Sequence, residues 1–169
     1  YDPAIVREAA TAITQALQEA SPTEAEEYYT SRFQTWEQSL APYDAAIERV
    51  RAGAAGRPYA ATEPVFDQMA AALGLVDVTP SGFSQSVSNG AEPSPGDVAA
   101  FDAVLSGGKA AVLIDNSQTD SAMARQLTAR ATGSGVPVVE VTETAPASAT
   151  SFVAWQVAQL DALAAALGL

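Results

Sequence analysis

Four acidic residues and one amide carry most of the chemistry open to this chain. Glu63 stands between Tyr59-Ala60-Ala61-Thr62 and Pro64. Asp115 and Asn116 follow the apolar run of residues 109–114, and Glu143 follows that of residues 136–141. Glu92 sits in the turn-rich segment 89–93. Carboxylates with no basic residue near them in sequence are hard oxygen donors, suited to Mg²⁺, Ca²⁺ or Mn²⁺. Paired carboxylates also serve acid/base hydrolysis, as in glycoside cleavage, but that chemistry needs a sugar groove with aromatic platforms. Here four of the twelve aromatics are taken up by one helical seam. Phosphate binding is disfavoured, because no glycine-rich loop follows a strand and no Lys or Arg stands at a strand end. Each acid also has a plainer reading: Glu63 decorates a helix start, Asp115 caps the next helix, and Glu143 is simply solvated.

The elements that position these residues alternate between strand and helix. Residues 59–62 read as a short buried strand, and Pro64 suits the first turn of a helix, where its missing N–H costs nothing. Phe66, Met69, Ala70 and Leu73 follow at helical spacing, and Gly74 closes the run as a C-cap. Glu63 therefore lies between a strand's carboxyl end and a helix start, the place where open α/β sheets bind ligands. Val76-Asp77-Val78 is a further strand, while residues 83–87 read as irregular or as a short edge strand. Ser94-Pro95-Gly96-Asp97 opens a helix whose buried face is Val98, Phe101, Val104 and Leu105. Residues 109–114 form a strand, residues 120–131 a helix, and residues 136–141 a strand with Pro137 at its start or on a sheet edge. Val153, Val157, Leu160, Ala164 and Leu167 mark the closing helix. This order predicts an α/β fold: a parallel four-stranded sheet flanked by helices. Right-handed crossovers then gather Glu63, Asp115, Asn116 and Glu143 on one rim, with Glu92 reaching the same side.

Before this unit the pattern is helical throughout. In residues 3–20, Ile5, Ala9, Ala12, Ile13, Ala16 and Leu17 make one apolar stripe, with Asp2 as N-cap and Pro3 at N1. Ser21-Pro22-Thr23-Glu24 is a capping box. It opens a long helix in which Tyr29, Phe33, Trp36, Leu40, Tyr43, Ile47 and Val50 form one seam, bent at Pro42. The aromatic seam and the proline favour a strut packed along a globular body over a coiled coil. The chain thus divides into a helix at 1–20, a long linker helix within 21–56 and an α/β lobe at 57–169.

Composition narrows the function. The 169 residues carry a net charge of −12, which makes nucleic acid and anionic membranes poor partners. There is no Cys and no His, so Ser-His-Asp and Cys-His catalysis, imidazole bases, and thiolate or His-ligated zinc are excluded for this chain alone. No apolar run approaches the roughly 20 residues of a membrane span. The opening Tyr1-Asp2-Pro3 reads as the middle of a longer protein.

Taken together, these segments resemble the metal-binding solute receptors of ABC transporters, the zinc and manganese cluster A-I type. The likeness lies in Tyr1-Asp2-Pro3, in Ser21-Pro22 through Val50, in Ala61-Thr62-Glu63-Pro64-Val65-Phe66 and Ala72-Leu73-Gly74-Leu75, and in Glu92-Pro93-Ser94. It continues through Val112 to Gln118, Val136-Pro137-Val138, Val141 to Pro146, and Trp155 with Gln159-Leu160. It covers essentially the whole chain, and it is the order and spacing that are specific. The resemblance implies one C-terminal lobe and the linker helix of a two-lobed receptor with a stiff helical backbone. It implies capture without catalysis: a divalent metal, Zn²⁺ ahead of Mn²⁺, held between lobes and delivered to an ABC permease. By position the metal ligands are Glu63 and Glu143, with Asp115, Asn116 and Glu92 as rim residues. In the family the last ligand is most often Asp, where this chain has Glu143. The remaining ligands are histidines of an N-terminal lobe that this chain lacks, so metal binding by the chain alone is expected to be weak or absent. The implied location is extracytoplasmic, either periplasmic or lipid-anchored at the cell surface.

Overall fold

Short, continuous apolar runs cannot present one face to water, so they pair into a sheet covered on both sides. The computed structural model describes residues 2–21 and 25–169. The strands are β1 (Pro58–Ala61), β2 (Val76–Asp77), β3 (Val112–Asn116) and β4 (Val138–Val141). They form one four-stranded sheet in the order β2-β1-β3-β4, and every pairing is parallel. Tyr59, Ala60 and Ala61 align with Val112, Leu113 and Ile114, which in turn brings Leu113 to Asn116 beside Val138 to Val141.

Helices α1 (Pro3–Ala20), α2 (Ala25–Ser39) and α3 (Ala41–Ala54) precede the sheet. A 3-10 turn (Pro64–Phe66) and α4 (Asp67–Ala72) join β1 to β2; α5 (Ser81–Ser88) and α6 (Pro95–Ser106) lead to β3; α7 (Ala122–Gly133) leads to β4; and α8 (Phe152–Leu167) closes the chain. On one face, Val112, Ile114, Val139 and Val141 pack with Tyr43, Val50, Phe66, Met69, Leu160 and Leu163 from α3, the β1–β2 connection and α8. On the other, Ala60 and Leu113 pack with Phe83, Phe101, Leu105, Leu127 and Ala131 from α5, α6 and α7. Phe83 and Phe101 meet edge to face with centroids 4.7 Å apart, locking α5 to α6.

Four expectations about these elements change. Residues 83–87 lie inside helix α5 rather than in a strand or irregular segment. Phe83 is buried and Val87 partly buried, one turn apart on the helix, and that spacing satisfies the core better than a two-residue alternation. The long helix is two helices, with Leu40 between them. Pro42 removes one backbone donor and its ring crowds the preceding turn, so the ladder breaks where a bend was expected. The seam also divides: Leu40, Tyr43, Ile47 and Val50 are buried, whereas Tyr29, Phe33 and Trp36 are only partly so. In α6, Phe101 and Leu105 are buried, but Val98 and Val104 only partly.

The stripe on α1 exists but covers no core. The helix has no buried residue, and Ile5 is 56%, Ile13 60% and Leu17 41% exposed. It is held on its other side, where Arg7 pairs with Asp44 of α3 at 2.5 Å and Gln18 Nε2 donates to Thr30 Oγ1 of α2 at 3.0 Å. Asp2 accepts from the backbone of Ala4 at 2.8 Å, as an N-cap should. Pro22, Thr23 and Glu24 of the expected capping box lie outside the described residues.

Candidate functional site

The strand order fixes where a site belongs. From β1 the chain turns one way, to β2, and from β3 it turns the other way, to β4. The crevice between the carboxyl ends of β1 and β3 is therefore the topological switch point of the sheet, where open α/β folds bind ligands. Glu63 follows β1 and Asn116 ends β3, so the two face each other across that crevice.

Their contact is direct. Asn116 Nδ2 donates to Glu63 Oε2 at 2.7 Å, and Thr119 Oγ1 donates to the same oxygen at 3.2 Å. Asn116 is fixed in turn: its Oδ1 accepts the Gln118 N–H at 3.1 Å, and the Thr119 N–H bonds back to the Asn116 carbonyl. Two neutral donors orient the carboxylate without cancelling its charge, which leaves Glu63 able to face a cation. Glu63 does not cap the following turn through its side chain.

The other acids take separate places. Asp115 accepts from the Thr62 hydroxyl at 2.9 Å, and Thr62 Oγ1 accepts the Asn116 N–H at 3.4 Å, so Asp115 braces the rim rather than capping α7. Ser121 is the cap of α7. Glu92 shares with Glu63 a hollow of about 520 Å³ floored by Phe83, Val87 and Leu127. Glu143 lines a different cleft of about 290 Å³, with Val6, Val65, Phe152, Trp155 and Gln156. Glu63, Asp67 and Asp77 also border a small recess under β1. There burial raises the Asp67 carboxyl above its ordinary range; the Tyr59 hydroxyl bonded to it at 3.0 Å opposes the rise and the charge of Asp77 adds to it. Among the described residues no three acidic side chains stand close enough to hold a metal ion together.

The sequence marked Gln118, Thr142 and Trp155 only as parts of resembling segments and gave no role to them or to Thr119. Trp155 Nε1 donates to Thr142 Oγ1 at 2.8 Å, and Gln159 Oε1 accepts the Thr142 N–H at 2.8 Å, so α8 anchors the segment that carries Glu143. A signal for Thr119 was present in the Asn-Ser-Gln-Thr run directly after a strand, which is the composition of a side-chain-closed turn.

Comparison with known proteins gives this rim its context. The family model described as zinc-uptake complex component A, periplasmic (ZnuA), matches residues 1–166. The chain belongs to the ZnuA family. Solved structures agree on the fold. The periplasmic zinc-binding protein TroA from Treponema pallidum matches with a TM-score of 0.76 and 20% identity, over 98% of this chain and 61% of that one. The laminin-binding adhesin Lmb from Streptococcus agalactiae matches at 0.74 and 18%, over 98% and 61%. The Zn(II)-bound E280Q variant of AdcAII from Streptococcus pneumoniae matches at 0.70 and 19%, over 95% and 56%. No curated protein matches. The chain thus spans about three fifths of the length of these ZnuA-like structures. As a fold, it is one sheet-bearing lobe with helices ahead of it.

Proposed function

We propose that this chain is the C-terminal portion of an extracytoplasmic solute receptor that captures a divalent transition metal, zinc ahead of manganese, and presents it to an ABC permease. It acts by capture and not by catalysis. Glu63 and Glu143 supply this lobe's ligands, and Asn116, Asp115 and Glu92 shape the rim. The observation that carries the reading is the Glu63 carboxylate at the switch point, held by Asn116 and Thr119 with its charge intact. Membership of the zinc-uptake family and the Zn(II)-bound relative support zinc as cargo.

Two carboxylates do not complete a zinc site, which ordinarily takes about four ligands with nitrogen or sulfur among them. A second lobe bearing histidines supplies the remainder. The exposed stripe of Ile5, Ile13 and Leu17 on α1 supports this, since an amphipathic helix with an uncovered apolar face is what a missing neighbour would cover. Calorimetry with zinc tests the reading on this chain and on a version extended by the second lobe. Weak binding by the first and tight binding by the second is expected; equally weak binding by both would overturn it.

A further inference from the structure

Gln156 stands on the first turns of α8 and is 2% exposed, yet its Nε2 finds no acceptor among the described residues. A buried donor left unmade is costly, and such a group calls for an explanation. Its neighbour Gln159 also has an unpaired Nε2, but its Oε1 is engaged with the Thr142 N–H at 2.8 Å, so that side chain has a structural role. No such role is seen for Gln156. It lines the 290 Å³ cleft with Val6, Val65, Phe152, Trp155 and Glu143, and among these side chains Glu143 is the only carboxylate. An apolar side chain of similar size would suit those walls better than an amide.

We propose that Gln156 is the positioning residue for Glu143: when a divalent cation is captured, its side-chain amide donates to the Glu143 carboxylate, as Asn116 donates to Glu63. This rests on the receptor reading above. Glu143 is exposed, so its side chain is free to fold toward the cleft. Its backbone is not, because Gln118 and Trp155 hold the residues on either side of it. The motion required is that of one side chain. A neutral amide is well matched to such a carboxylate. It orients one oxygen and leaves the negative charge for the cation, where a Lys or Arg would compete with it. Among the described residues no Lys or Arg lines the cleft.

Zinc itself is the probe, titrated into the 169-residue chain and followed through the side-chain amide signals of Gln156 and Asn116 by NMR. Both amides are expected to shift. In Glu143→Gln the Gln156 shift disappears while that of Asn116 persists. Gln156→Met, which keeps length and volume, weakens zinc binding about tenfold, the lower range for loss of a ligand's hydrogen-bond partner. In the Glu143→Gln background the same change has no further effect, because the two residues act as a unit. A shift of Asn116 alone would overturn the role of Gln156 and leave the receptor reading standing. So would a Gln156→Met effect equal in both backgrounds. If zinc moved neither amide, the role of Gln156 would fall, and the receptor reading would be decided by calorimetry on the version extended by the second lobe.

Discussion

Gln118 and Thr144 pair as two strands would. The Gln118 Oε1 accepts the Thr144 N–H at 2.9 Å, and its Nε2 donates to the Thr144 carbonyl at 3.2 Å. The turn from Asn116 to Thr119 thus touches both candidate ligand segments: Asn116 and Thr119 hold Glu63, and Gln118 holds the residue after Glu143. A rim built this way sets the spacing of two carboxylates through one turn, without a contact between them.

Replacing Gln118 by Ala should therefore loosen Glu143 and leave Glu63 in place. Gln118 is exposed, so stability in urea is expected to change by no more than about 0.5–1 kcal/mol. Zinc affinity of the version extended by the proposed second lobe is expected to fall about tenfold, by calorimetry. A large loss of stability with unchanged affinity would show that the pairing serves the fold alone.

Asn116 is a different case, because it is buried and uses both ends of its carboxamide. Asn116→Leu should cost about 1–3 kcal/mol in urea denaturation, since the turn N–H of Gln118 and the Glu63 carboxylate both lose a partner. Glu63→Gln, which removes the charge and keeps the shape, should be milder in stability and more severe in zinc affinity. The reverse ranking would place Glu63 among structural groups.

Much of this arrangement was legible in the residues. The short continuous runs ahead of Asp115 and Thr142 have the length and β-branched content of buried strands, and Pro64 after Glu63 announces a turn; both follow from local chemistry. The position of Glu63 at a strand end was therefore readable, and so was a parallel sheet. The Asn116 and Thr119 contacts were not, because they depend on which strands are neighbours, and strand order is a tertiary fact. Residues 83–87 misled because the segment is short, polar and flanked by turn residues, which hid the four-residue spacing of Phe83 and Val87, while Phe83 packs on Phe101 from a helix. The division at Leu40 was half legible: Pro42 marks the spot, but whether the ladder bends or breaks depends on packing against α8.

The uncovered stripe of α1 separates two kinds of apolar residue. Ile13 is 60% exposed, so Ile13→Gln should change the stability of this chain by no more than about 0.5 kcal/mol. Leu113, fully buried in β3, should cost about 2–5 kcal/mol on truncation to Ala. With the second lobe present, Ile13→Gln is expected to become destabilising by more than about 1 kcal/mol, approaching the value of a buried side chain. Urea titrations of these variants, with and without the second lobe, give the comparison; an unchanged Ile13→Gln effect would mean that nothing packs on this stripe.

Tyr43 offers a test of the core itself. Its ring packs edge to face on Phe152 with centroids 5.6 Å apart, and its hydroxyl is buried with no hydrogen-bond partner among the described residues. Burial pushes the phenol from its ordinary 10.0 up to about 12, with Arg7 opposing and Asp44 and Asp2 adding to the rise. Because the folded state holds this proton more tightly than the unfolded chain, the phenol's contribution is complete below pH 10 and is lost as pH rises toward about 12. Tyr43→Phe keeps the ring contact and removes the unpaired hydroxyl, so at neutral pH it should be neutral or stabilise the fold by about 1 kcal/mol. The same variant should flatten the decline in stability between pH 10 and about 12, measured by thermal unfolding across that interval. A destabilised Tyr43→Phe with the alkaline decline intact would mean that the hydroxyl has a partner and that the decline arises elsewhere.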